Sequence, residues 1–137
     1  MLNPAQRTAL STALMQLEQA VAETESLLDG SRQGITHATE LDWSEATTRV
    51  LRELCHVVRR HIQELVNLFD LPVHRFHGRR VVVAAMSVAW TNLEDARPDK
   101  LRRYGDVDPT LRETLAPHLE HLINQVLELQ QLANRGE

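Results

Sequence analysis

From residue 10 onward, apolar side chains alternate in steps of four and three: Leu10, Leu14, Leu17, Val21, Thr24 and Leu28. Such spacing returns each residue to the same side of an α-helix, so the stretch predicts one amphipathic helix over 4–29. Asn3 is placed to cap it, Pro4 fits the first helical position, and Asp29-Gly30 ends it. The same steps join Leu51, Cys55, Val58, Ile62, Leu65 and Phe69. This second helix is predicted over 43–70, opened by Asp42 or Ser44 and broken by "DLPVHRFHG", where proline lacks an amide donor and disfavours helix at the residue before it.

The third predicted helix, 79–97, has apolar residues nearly all the way round in "VVVAAMSVAW". At about 100° per residue, Val82, Met86, Trp90 and Leu93 mark one side and Val81, Ala84 and Val88 the other. A helix with two apolar sides needs two partners, and a subunit interface supplies the second. The segment "RVVVAA" also suits a strand, but the helical periods around it favour helix. In the connection that follows, Pro98 and Gly105 read as breakers, and Tyr104 is expected to cover the end of the bundle. Asp108-Pro109 then starts a fourth helix, 109–134, with Leu111, Leu115, Leu122, Val126, Leu129 and Ala133 as its core line.

Four amphipathic helices joined by loops of about ten residues predict an all-α fold, an up-down-up-down antiparallel four-helix bundle in one domain covering 1–137. The apolar back of the third helix predicts a homodimer through Val81, Ala84 and Val88.

A formal net charge of -4 supplies no overall positive field to draw the chain onto nucleic acid or an anionic membrane. The single cysteine, Cys55, excludes an internal disulfide, and its place on the core line reads as a small hydrophobe rather than a nucleophile. With neither a signal-peptide layout nor a membrane-length apolar run, the chain is expected to be cytoplasmic. No phosphate-cradling glycine loop, Ser-His-Asp set or paired zinc knuckle is present, so no cofactor is expected. The favoured reading is a non-enzymatic interaction or regulatory module.

Two features carry other chemistry. Arg49, Arg52, Arg59 and Arg60, with His56 among them, share the outer face of the second helix, and Arg75, Arg79 and Arg80 follow it. Guanidinium groups grip carboxylate and phosphate in bidentate fashion, so this basic patch suits an acidic protein or a phosphate-bearing partner. The histidines offer an alternative metal site. His74 and His77 stand three apart in the loop "HRFH", and His118 and His121 stand three apart beyond Pro117, with His118 about 40° from the core line through Leu122. Glu53 and His56, the one Glu-x-x-His pair, turn away from the helix's apolar face and toward solvent.

The stretch "RETLAPH", Arg112 to His118, resembles the Arg-x4-6-His signature of the HEPN family, helical-bundle proteins that include RNA-cleaving toxins. The resemblance implies a ribonuclease site in which Arg112 and His118 act together across a dimer. Glu113 departs from the polar residue often found after the family's arginine and is ill placed beside an RNA phosphate.

Overall fold

The computed structural model of the protein describes residues 1–30 and 33–136. The described residues form helices and loops with no strand, which settles the "RVVVAA" segment as helix. Among the described residues there are five α-helices rather than four: α1 (Pro4–Leu28), α2 (Glu45–Phe69), α3 (Gly78–Asp95), α4 (Pro98–Leu101) and α5 (Leu111–Arg135), with a 3-10 turn at Arg102–Tyr104. Pro98, expected as a breaker, instead opens α4 at its first turn, where the missing amide donor costs nothing.

The chain divides into two compact units, Met1–His74 and Arg75–Glu137, each built round one pair of long helices. In the first, α1 packs on α2. Asn3 caps α1 through a reciprocal pair of bonds with Gln6, and Ser44, not Asp42, caps α2 by accepting from the Thr47 amide. The seam holds Leu14, Val21, Leu28, Cys55 and Ile62, with Leu10, Val58, Leu65, Val66 and Phe69 around a cluster of Leu14, Ile62 and Leu71. Leu17, expected in that line, is exposed, and Ser11 is buried on the same side of α1.

At the end of α2 the chain turns through Asp70, the one non-glycine residue with a left-handed backbone (φ 49°) among those described. The next four residues lie back along α1. Leu71 is buried, the Arg7 guanidinium donates to the Asp70 carbonyl, and Ser11 Oγ lies 3.3 Å from the Pro72 carbonyl and 2.8 Å from His74 Nε2.

In the second unit α3 packs on α5. The buried residues of α5 are Leu119 and Ile123. Leu122 and Leu129, expected in the core line, are exposed; the buried positions are Leu119 and Ile123, on a row that runs from Leu115 in steps of four. Gln130 Nε2 donates to the Val83 carbonyl (3.1 Å) and to Ser87 Oγ (2.6 Å), tying the two helices by an amide. Pro117 lies inside α5 and removes one helix donor without ending the helix. The helix expected from residue 109 is α5, which begins two residues later, and Asp108 stabilises the turn before it by accepting from the Thr110 amide (2.9 Å) and hydroxyl (2.8 Å).

Candidate interaction surface

No residue of α3 is buried. Val82, Val83, Met86 and Leu93 are partly covered, while Val81 and Val88 remain 57% and 62% exposed and Ala84 is exposed between them. Val81 and Val88 are seven residues apart, about 20° from alignment on the helix, with Ala84 and Ala85 on either side of the line they draw. Trp90, expected on the packed side, is 40% exposed. The result is an apolar strip along the outside of α3. Water gains nothing from leaving the valine methyl groups in place, and burying each valine in full would stabilise a complex by about 1.5–3 kcal/mol before the costs of association.

The expected basic patch is split by what its members touch. Arg59 donates to Glu25 Oε1 through Nε (3.0 Å) and Nη2 (2.5 Å) and lies 3.7 Å from Glu18. This holds the Glu25 carboxyl below its ordinary range and raises the Arg59 guanidinium above its own. Arg52 Nη2 donates to the Leu28 carbonyl at 2.9 Å, at the C-terminus of α1 where free carbonyls collect, and Arg79 donates to the Gly136 carbonyl at the end of α5. These three arginines fasten helix to helix. Arg49, Arg60, Arg75 and Arg80 are exposed and make no ion pair among the described residues, so they are the members free to meet a carboxylate or phosphate.

The histidines do not gather. Among the described residues no three His, Cys, Asp or Glu side chains come together as a metal site would require. His74 is engaged with Ser11, and His77 is the N-cap residue of α3 with no side-chain capping bond. His118, expected at the core edge, is exposed, as is His121. The reason is the shift in the core line of α5: Leu119 takes the buried position, and its neighbour His118 lies about 100° round the helix. Arg112 is also exposed, six residues and about 120° from His118, so the two side chains of one α5 leave it in different directions. Glu53 and His56 are exposed, as their wheel positions predict.

Arg112 does line a recess of about 610 Å³ with Pro98, Arg102, Asp106 and Asp108, formed where the loop before α5 passes Gly105. Two guanidinium groups and two carboxylates share it, so their charges cancel. Gly105 has a backbone (φ 142°) that an L side chain rarely adopts, and Tyr104 beside it is exposed rather than covering a helix end.

One clamp escapes a reading by hydrophobic period. Arg97 donates to Glu94 through Nε (2.7 Å) and Nη2 (3.0 Å) and to Glu120 Oε2 (3.1 Å), joining the end of α3 to α5. The Arg97 guanidinium pulls the Glu94 carboxyl below its ordinary range, and the two glutamates raise Arg97 in turn. The three-residue spacing of Glu94 and Arg97 was the available signal; Glu120 had none. No helix is long and apolar enough to cross a membrane among the described residues. No family model, curated protein or solved structure matches this chain.

Proposed function

We propose that the protein is a non-enzymatic helical module that works in the cytoplasm as a homo-oligomer, a dimer formed through Val81, Ala84 and Val88. The observation that carries this reading is the apolar strip on α3, a helix with no buried residue in a chain rich enough in leucine and valine to have buried it. The antiparallel four-helix bundle expected from the sequence is part of the same proposal, because a lone pair of helices leaves too much apolar surface in water to be stable by itself. Regulation or scaffolding then follows from what the assembled faces present, with Arg49, Arg60 and Arg75 available to an acidic or phosphate-bearing partner.

Native mass spectrometry of the purified protein and of Val88→Glu tests it. The expected result is a dimer for the wild type and a monomer of undiminished helix content for the variant, since a charge at an exposed position opposes only the association. A wild-type monomer, or a dimer untouched by Val88→Glu, would overturn the reading, and a retained metal or nucleotide mass would overturn its non-enzymatic part.

A further inference from the structure

The proposed dimer rests on α3 presenting an apolar strip; the charges at the two ends of that strip fix which way round the second copy lies. Arg80 stands at the N-terminal end, exposed and without an ion pair among the described residues. Asp95 stands at the C-terminal end with its carboxylate 56% exposed, held only loosely by Lys100 (4.0 Å) and Arg103 (3.6 Å) of its own chain. A parallel pair of α3 helices would set Arg80 against Arg80 and Asp95 against Asp95, two like-charge contacts. An antiparallel pair sets each Arg80 against the Asp95 of the other copy, two opposite-charge contacts.

The antiparallel register has a definite centre. Arg80 and Asp95 are fifteen residues apart, about 22 Å along the helix, and their midpoint falls between Ser87 and Val88. Under a two-fold axis at that midpoint, Val88 meets Val88 of the second copy with an offset of only about 1.5 Å along the helices. Ala84 and Ala85 then stand level with Thr91 and Trp90 of the second copy, and their small side chains let the helix axes approach to the near end of the usual 8–10 Å. The flanking charges agree with this symmetry. Seen down the helix, Arg80 and Asp95 lie on the same flank of the Val81–Val88 line, and a perpendicular two-fold axis brings like flanks together.

We infer that α3 is a self-complementary docking surface whose partner is a second copy of this chain, lying antiparallel with Val88 on the two-fold axis and Arg80 paired to Asp95 across it. Single-cysteine cross-linking of the full-length protein under mild oxidation tests it, with native Cys55 buried and so shielded from the oxidant. Val88→Cys is expected to form a disulfide-linked dimer. Val81→Cys is not, because its two copies would lie about 20 Å apart, far beyond the reach of a disulfide. Cross-linking of both variants would mean a parallel pair and overturn the inference. A wild-type dimer in which Val88→Cys stays unlinked would overturn it too, while leaving self-association standing; a wild-type monomer would remove both. As an independent readout, Arg80→Glu is expected to weaken the dimer about fivefold and the double variant Arg80→Glu with Asp95→Arg to recover most of that loss. A double variant weaker than Arg80→Glu alone would count against the register.

Discussion

The α1–α2 hairpin crosses its seam with charge, as Arg59 reaches Glu25 and Arg52 reaches the end of α1, and it closes one end with residues 71–74 laid back over Ser11. The α3–α5 hairpin crosses the middle of its seam with an uncharged amide, Gln130, and keeps its charge to the ends, where Arg97 reaches Glu120 and Arg79 reaches the Gly136 carbonyl. The two hairpins therefore spend their apolar residues differently. In the first, guanidinium stems flank a seam with one buried row to each helix, while Leu17 of α1 and Val50, Leu54 and Leu68 of α2 stay exposed away from it. In the second, valine and alanine occupy both sides of α3, and whichever row the hairpin itself uses, another is left facing out. On α3 the alanines beside Val81 and Val88 leave room for a second helix to come close.

The largest effect that would break this comparison comes from the two buried isoleucines. Ile62→Ala and Ile123→Ala should each cost about 3 kcal/mol in denaturant unfolding, with amide exchange quickened most in α1 and α2 for the first and most in α3 and α5 for the second. If each variant loosened both hairpins equally, the contrast drawn between their seams would lose its meaning. A smaller loss, about 1–2 kcal/mol, is expected for Ser11→Ala, which strips the Pro72 carbonyl and His74 of their shared buried partner. Denaturation unchanged within error would show that Leu71 alone holds the returning chain. Of opposite sign, Asp70→Gly should stabilise the first hairpin by about 0.5 kcal/mol, because the left-handed backbone there is strained for any residue with a Cβ; a thermal midpoint that fell would contradict it.

The pH response is the smallest effect, since both ion pairs are open to solvent. Glu25 and Glu94 have folded-state pKa values below the ordinary 4.5, each chiefly through a hydrogen bond from an arginine. A depressed carboxyl contributes its stability in full above the unfolded value and loses it as pH falls through the folded one. Melting temperatures should accordingly hold steady above pH 4.5 and decline below it, with Arg59→Gln and Arg97→Gln each flattening part of the decline. A decline of the same size in both variants would mean that other carboxylates carry it.

Helix positions were legible because their signals are local. Asn3, Pro4 and Ser44 act within one turn of themselves, and the predicted bounds of 4–29, 43–70, 79–97 and 109–134 stand within two residues of the observed ends. The short α4 was missed because the same residue type that ends one helix begins another, and only the chain beyond Pro98 decides which. Faces were legible in proportion to contrast. The α2 row stands out because it runs unbroken from Leu51 to Phe69, while the second row of Val50, Leu54 and Leu68 is interrupted at His61; α5 carries leucine or isoleucine at 111, 115, 119, 122, 123, 127, 129 and 132, enough for two rows, and the sequence offers no local reason to prefer one. His118 followed that choice outward. The Arg97 clamp and the Ser11 contacts join residues more than twenty positions apart, and no period or spacing encodes such a meeting.

Cys55 is the only thiol in the chain and lies buried in the first hairpin's seam, on the row that includes Ile62. A reagent that modifies sulfur reaches it only when α1 and α2 part, so the rate of labelling measures how often that one seam breathes. The second hairpin has no sulfhydryl and stays silent in the same assay. The molecule thus carries a native clock for the motion of one half, readable without any introduced probe.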